Sequence, residues 1–472
     1  MQKIKEFQKA IKETAQEFSK IHKKEIIRII SHLDADGICS SSILIDLLNK
    51  QKRKYNISIL PQLNEENIKT FENESTNVFV FTDLGSGQLG IIQKVLKNKK
   101  IFVLDHHIPQ KTKTAKNVHH LNPCNYDLDG SQEISGSGVV YLFVKELTKD
   151  TSMSHIAVIG AIGDTQEKMG FKGLNEEILK DATETGRMKI TKGLRFFGLQ
   201  TRPVYKLLQY STDLPIPGIT GSELNSLKFL KELDIKPKIG TKWRKLNDLS
   251  EKEKKKLVEG IIKKREDLEN PEDIFAPVYL LPQEELSSPF RDGKEFSTLL
   301  NACGRMGKAS IGIGACLGVN YMKGLAIKAL LSYKREIVYA LNWLDDSKEN
   351  SEYVTKKKKY TLINAQNKIP ATIIGTVTSI LSKGKTYPEG HYILGLAQNN
   401  DLTTKISLRM AGTKNGTNLQ NIIGQILSEI NHGEGGGHVH AAGALIKTEM
   451  EEEFLKAAEE VLDRVVVEEK ID

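Results

Sequence analysis

Four short apolar runs rich in β-branched residues, IIRIIS (26–31), ISIL (57–60), NVFVFT (77–82) and KIFVLD (100–105), alternate with helical patterns over the first third of the chain. Strands with no polar alternation need cover on both faces, and strands separated by helices run parallel. This stretch is therefore constrained to a parallel sheet with helices packed on either side. Helices are predicted around 4–23, 38–51, 88–98, 137–148 and 151–162, the third after the Gly-Ser-Gly turn at 85–87.

A chain of 472 residues has room for two or three such cores. From about 171 to 300 it turns rich in lysine, glutamate and proline, with helical stretches at 222–233 and 250–268, as expected of a connector with an inserted subdomain. The last third predicts a second, mixed α/β lobe. It has an apolar helix near 296–318, strands near 337–343, 370–380, 391–397 and 403–410, and helices near 417–431 and 448–465. No fixed-period repeat is present, which excludes solenoids and propellers.

Charge is nearly balanced, with 68 Lys and Arg against 60 Asp and Glu. The excess of +8 and the lysine clusters at 252–265 and 356–359 are compatible with a polyanionic partner, although such clusters also make ordinary solvated helix faces. No apolar run approaches 18 residues and the N-terminal segment lacks a secretory pattern, so a cytoplasmic protein without membrane association is expected. Cys39, Cys124, Cys303 and Cys316 form no C-x-x-C pair and are expected to be free thiols.

Chemistry is suggested where the apolar runs stop. His32-Leu33-Asp34-Ala35-Asp36-Gly37 follows the first run, Asp83 the third and Asp105-His106-His107 the fourth, while Gly163-Asp164 closes a predicted helix. Each alone has a plain structural reading, as a turn, a helix cap or a solvated strand end. Together they fall where open α/β sheets bind ligands, beyond the carboxyl ends of the strands. Carboxylates and imidazoles without cysteine suit Mn²⁺ or Mg²⁺. So many ligands exceed the needs of one ion but match two held about 3.5–4 Å apart, the usual clamp for attack on a phosphoryl group.

Three further segments are candidate anion sites. In His432-Gly433-Glu434-Gly435-Gly436-Gly437-His438-Val439-His440-Ala441-Ala442-Gly443, consecutive glycines let backbone N–H groups approach a phosphate; a flexible hairpin is the plain alternative. Asn301-Ala302-Cys303-Gly304-Arg305-Met306 offers a planar guanidinium one helical turn after an amide. Ser407 and Arg409 share one face of the strand KISLRM.

At these residues the sequence resembles the DHH phosphoesterase superfamily with a DHHA1 second domain. HLDADG (32–37), TDLG (82–85), DHH (105–107) and GD (163–164) match its four motifs in order, and GGGHVHAAG (435–443) matches the DHHA1 signature. The segment from Asn301 to Met306 is similar to one found in RecJ single-strand exonucleases, and the chain's size resembles that of archaeal RecJ homologues, among them the nuclease that associates with the GINS replication complex.

The resemblance implies a DHH domain over 1–190, a helical connector or insertion over 191–295, and a DHHA1 substrate-binding domain over 296–472, with the active site in the cleft between lobes. It implies that His32, Asp34 and Asp83 hold one Mn²⁺ or Mg²⁺, that Asp36, Asp83, His106 and Asp164 hold a second, and that Asp83 bridges them. His107 would face the scissile phosphate and Asp105 would orient its neighbours. Gly435, Gly436, Gly437 and His438 would hold the terminal nucleotide. His32 departs from the bacterial pattern, in which an acidic residue often takes that position.

The implied activity is metal-dependent exonucleolysis of single-stranded DNA or RNA to 5′-mononucleotides, with 5′→3′ polarity on DNA favoured. Two alternatives stand beside it. One is a phosphodiesterase for short oligonucleotides or cyclic dinucleotides, whose first motif usually carries proline before the aspartate. The other is a replisome scaffold subunit bound to GINS.

Overall fold

The computed structural model describes residues 2–168, 170–211, 213–384, 386–412 and 418–468, and the chain divides into two units, Met1–Leu330 and Leu331–Asp472. The first is built on five strands, β1 (Ile27–His32), β2 (Tyr55–Leu60), β3 (Val78–Thr82), β4 (Lys100–Leu104) and β5 (Val118–Leu121). They are all parallel, in the order β2-β1-β3-β4-β5. Strand order therefore reverses between β1 and β3, and this switch point opens a crevice at the carboxyl edge.

Both faces of the sheet are covered, as the unbroken apolar runs require. On one side Ile30, Phe79, Phe81, Ile101 and Val103 pack against the short helices α3 (Glu65–Thr70) and α4 (Leu89–Val95). On the other lie α1 (Gln2–Ser19), α2 (Ala35–Lys50), α5 (Gly136–Thr148) and α6 (Ser154–Gly163). There Phe18 of α1 meets Phe102 and Phe143 edge-on, with ring centroids 5.3 Å apart in each pair. Of the five strands only β5 escaped prediction, because its four residues VHHL bury their ends and leave two histidines half-buried.

Beyond α7 (Gly173–Glu184), β6 (Lys189–Leu194) pairs antiparallel with β9 (Phe275–Leu280) and encloses the middle subdomain. This subdomain holds α8 (Val204–Gln209), α9 (Glu223–Glu232), the small hairpin β7 (Lys238–Ile239) and β8 (Lys242–Trp243), and α10 (Glu251–Lys264). It has its own core, with Leu208, Leu230, Ile261 and Ile274 inaccessible to solvent.

The expected second lobe starts later than residue 296. Helices α11 (Gly293–Arg305) and α12 (Ala309–Cys316) pack on α2 and α6, so this segment belongs to the first unit. The run 337–343 is not a strand but part of the 28-residue helix α13 (Asn320–Ser347), which crosses the boundary between units. The run 370–380 is likewise the helix α14 (Ala371–Lys383), entered through Pro370. Its β-branched content suggested a strand, but Ile373, Ile374, Val377 and Thr378 recur at helical spacing and are buried together; packing overrode propensity.

The second unit carries β10 (Val354–Lys356), β11 (Tyr360–Asn364), β12 (Tyr392–Gln398), β13 (Thr403–Met410), β14 (Glu434–His438) and β15 (Ala441–Lys447) in the order β10-β11-β12-β13-β15-β14. Only the β11–β12 pair is parallel. Helices α15 (Leu419–Ile430) and α16 (Glu451–Glu468) cover one face of this sheet, with Ile426, Phe454 and Leu462 buried between them and the strands.

Candidate metal centre

The strand ends deliver the acidic and imidazole side chains to one place. β1 ends on His32, and the next turn makes Asp34 the N-cap of α2, its carboxylate accepting from the Gly37 N–H at 3.0 Å. Asp83 and Asp105 follow β3 and β4, and their N–H groups donate to Leu104 and Leu121, so sheet pairing extends past the strands and fixes both residues. Asp83 has a left-handed backbone (φ 58°), uncommon outside glycine, which turns its side chain into the crevice. Asp164 caps the C-terminus of α6.

The cluster has two halves that meet at Asp83. His32 Nδ1 lies 2.9 Å from Asp34 Oδ2 and 3.7 Å from Asp83 Oδ2. His106 Nε2 lies 3.3 Å from Asp83 Oδ1, 3.3 Å from Asp164 Oδ2 and 3.8 Å from Asp36 Oδ2. Each Asp83 oxygen thus faces a different set of partners, the disposition a bridging carboxylate needs.

Crowding of like charge shows in the titration behaviour. Burial and the neighbouring Asp83 charge push Asp36 up to about 7, and burial with Asp36 raises Asp164 well above the usual carboxylate range. Burial opposes charge on His32 and His106, yet the adjoining carboxylates, Asp34 for the first and Asp83 for the second, hold both well above the ordinary histidine value. Asp105 remains below the usual range despite its burial, because His107 and His106 lie beside it and the Ser86 N–H donates to it.

These residues fit divalent cations on an observation independent of motif. Four buried atoms of the cluster have no hydrogen-bond partner among the described residues: His32 Nδ1, His106 Nε2 and both oxygens of Asp83. Their close neighbours are one another and Asp34, Asp36 and Asp164, at 2.9–3.8 Å but without hydrogen-bond geometry, so all four point into one cluster of oxygen and nitrogen donors. His106 is also prepared as a ligand: its Nδ1 donates to the Gly130 carbonyl at 2.6 Å, which turns Nε2 toward the carboxylates, where a cation would replace its proton.

Asp105 and His107 stand apart from that set. Asp105 is fully buried and its oxygens accept from the N–H groups of Ser86, His106 and His107 and from His107 Nδ1 at 2.8 Å, which fits it to orient the two histidines. His107 is the most open member, its side chain 43% exposed, and is placed to meet an incoming group.

Several supporting residues carried no recognisable signal in the sequence. The Gly136 and Ser137 N–H groups at the start of α5 donate to the two oxygens of Asp36, at 2.6 and 3.0 Å. A side chain at Gly136 would fall 2.6 Å from Asp83 Oδ1, and one at Gly160 would fall 2.3 Å from Asp36 Oδ1. Asn122 donates to the His107 carbonyl and to Ser86 Oγ, both at 2.8 Å. Of these, the Ser135-Gly136-Ser137-Gly138 run was the most visible clue, since small residues opening an apolar helix mark close approach of another group.

Asn301 and its neighbours serve the same loop. Its Oδ1 accepts from the Ala35 N–H at 3.0 Å, and Gly304 packs so tightly on the Leu33 carbonyl that no side chain fits there. The segment read as an anion site therefore has two residues that grip the loop 33–35, with Arg305 half-buried next to them.

The second unit holds the other candidates. The glycine run is not a loop but the edge strand β14. A side chain at Gly435 would meet Leu427 of α15 at 2.5 Å, and Gly437 (φ 138°) closes the turn to β15; Gly436 alone faces open space. The His438 side chain lies outside the described residues. Ser407 is buried and shares a hydrogen bond with Thr378, while Arg409 donates to Ser379 and to the Leu408 and Ala442 carbonyls.

Comparison with known proteins gives a consistent pattern. Family models match in three segments: DHH family, N-terminal domain, at 26–163; DHH-CID domain at 196–272; and DHHA1 domain at 357–464. A relative from Methanocaldococcus jannaschii, described as an uncharacterized protein, is 30% identical over 98% of this chain and 98% of its own. Among solved structures the fold is similar to RecJ from Thermus thermophilus in complex with Mn²⁺ (16% identity, TM-score 0.58), with 97% of this chain and 55% of that one covered. It is also similar to exonuclease RecJ bound to manganese (16% identity, TM-score 0.56; 96% and 94% covered) and to CDC45 from Entamoeba histolytica (13% identity, TM-score 0.61; 97% and 98% covered). The chain thus spans about 55% of the length of the Thermus protein.

Proposed function

The chain belongs to the DHH family, with a DHHA1 domain and a RecJ-like fold, and on that premise we propose that it is a Mn²⁺- or Mg²⁺-dependent exonuclease of single-stranded nucleic acid. The observation that carries this reading is the convergence of buried atoms on His32, His106 and Asp83 that make no hydrogen bond among the described residues, flanked by Asp34, Asp36 and Asp164. His32, Asp34 and Asp83 would hold one cation and Asp36, Asp83, His106 and Asp164 a second. Two cations so held would supply a hydroxide at neutral pH and would neutralise charge on the phosphoryl oxygens.

The chain's own residues set the geometry. Asp83 spans both halves of the cluster, Asp105 fixes His107 through Nδ1, and the exposed Nε2 edge of His107 is left to bind a phosphate oxygen of the scissile bond. Arg305, Arg409 and the strand Gly435–His438 would bind the rest of the nucleotide, with 5′→3′ direction on DNA and release of 5′-mononucleotides; Ser407, expected to join them, is instead buried against Thr378.

Two comparisons test this reading. A 5′-labelled long single strand and a dinucleotide are offered with Mn²⁺; rapid degradation of the strand supports the exonuclease, and activity confined to the dinucleotide would sink it. Asp83→Ala should lower the rate on the strand by at least about a thousandfold, because removing the shared carboxylate disables both metal positions. The likeness to a CDC45 fold over 98% of that chain favours, as a second reading, a role as a replisome subunit bound to GINS, which pull-down with GINS proteins tests. The complete ligand set argues that such binding would accompany catalysis rather than replace it.

A further inference from the structure

The middle subdomain carries a continuous ladder of cations and aromatic rings that the metal centre does not use. The guanidinium of Arg202 lies 4.8 Å from the centre of the Phe197 ring and 5.4 Å from that of Tyr210. Lys206 Nζ sits 5.3 Å from the Tyr210 ring and 5.1 Å from Tyr205. Tyr205 is 4.3 Å from Trp243, whose ring in turn lies 3.9 Å from Lys238 Nζ on the β7–β8 hairpin.

Two features distinguish this ladder from an ordinary surface. Its cations are positioned by rings more than by carboxylates: Lys206 has an ion pair, with Glu223, whereas Arg202 and Lys238 have none among the described residues. Lysines and arginines outnumber acidic residues more than twofold between 195 and 245, and although Arg195 and Arg244 pair with Asp273 and Glu253 from outside that stretch, Arg202 and Lys238 of the ladder are not neutralised in this way among the described residues. Rings that hold a cation in place reduce the entropy lost when it binds a phosphate, and Tyr210, 51% exposed, offers apolar surface beside them to an unpaired base.

The ladder is rooted on the helix that supports the metal loop. Glu295 of α11 accepts from the Gln200 N–H at 2.7 Å and from the Thr201 hydroxyl, immediately before Arg202. Asn301, which holds Ala35, lies on the same helix six residues later, about 9 Å along its axis. The segment that opens the ladder and the loop that carries the metal residues are thus tied to one helix.

We propose that the ladder from Phe197 to Lys238 is an accessory binding site for the sugar–phosphate backbone of single-stranded nucleic acid, extending the grip on long substrates beyond the nucleotides at the metal centre. This rests on the exonuclease reading. The test uses the full-length protein in EDTA, with fluorescence anisotropy of a labelled oligothymidylate of about twenty nucleotides and of a labelled dinucleotide. Lys238→Glu, on an exposed hairpin, and Arg202→Gln should each weaken binding of the long strand about tenfold and reduce its log–log salt dependence by about one to two units, while dinucleotide affinity moves less than about twofold.

Long-strand affinity and salt slope equal to wild type in a folded Lys238→Glu protein would overturn the ladder while leaving the exonuclease reading intact. Failure of the wild type itself to bind any long strand would overturn both. Variants that keep strand affinity but lose capture by an acidic protein would assign the surface to a protein partner instead and equally overturn the proposal.

Discussion

The strand-end cluster of the first unit and the glycine strand of the second were both read as sites from their residue types, yet they owe their composition to different forces. Around Asp83 the polar atoms are buried, convergent and without hydrogen bonds among the described residues, which packing alone does not explain. Along β14, Gly435 is required by α15 and Gly437 by the turn, so only Gly436 is left without a steric reason to be glycine. A concentration of reactive groups is thus stronger evidence of chemistry than a run of glycines, since glycine answers to backbone geometry as readily as to a ligand.

That contrast can be broken by substitution. Outside the metal-binding side chains, the largest effect is expected at Gly136: the added methyl of Gly136→Ala has no space beside Asp83 Oδ1, so activity should fall at least about a hundredfold with the fold retained by circular dichroism. Near-normal turnover would show that the cluster tolerates displacement and is not a catalytic constellation. Asn301→Ala frees the loop at Ala35 and should weaken Mn²⁺ binding by about tenfold in calorimetric titration, the usual scale for groups that orient metal ligands.

The glycine strand sharpens the comparison from the other side. Gly435→Ala should lower stability by about 1–3 kcal/mol through overpacking against Leu427, read from the denaturation midpoint. Gly436→Ala should leave that midpoint unchanged and raise KM for the nucleic acid several-fold, in keeping with a substrate role at that position. An unchanged KM would reduce β14 to a structural edge.

The smallest effect concerns protons. Asp36 and Asp164 are raised, as are His32, His106 and His107, so the metal-free fold binds more protons than the unfolded chain from about pH 4 upward, through Asp36 and Asp164 first and through the histidines above about 6.5, and loses stability as pH rises through that range. Asp34 and Asp105, held low, oppose this only toward acid, where their stabilisation is lost. A cation replaces those protons. Thermal midpoints should therefore fall with rising pH in EDTA and rise with pH in Mn²⁺, and binding should release protons to the buffer. Identical slopes in the two conditions would mean that the cluster does not bind the ion.

Much of this was legible because it depends on local pattern. Buried runs ending in His32, Asp83 and Asp105 specify both a parallel sheet and the edge where those side chains gather, since strands that run the same way end on the same side. Where local pattern was ambiguous, the sequence misled: 337–343 and 370–380 have strand composition but lie in α13 and α14, and the segment from Asn301 to Gly304 grips the metal loop from a helix of the first unit.

By itself, then, the order of residues determined which groups stand at the strand ends and that the first lobe is a parallel sheet covered on both faces. Tertiary structure alone decided that Gly136 and Gly160 make room for carboxylates, that Gly130 sets the tautomer of His106, and that rings and cations 46 residues apart, from Phe197 to Trp243, form one ladder. The reason is range. Periodicity and strand ends are fixed by neighbours a few positions apart, whereas the space beside a side chain is fixed by whatever the rest of the fold packs against it.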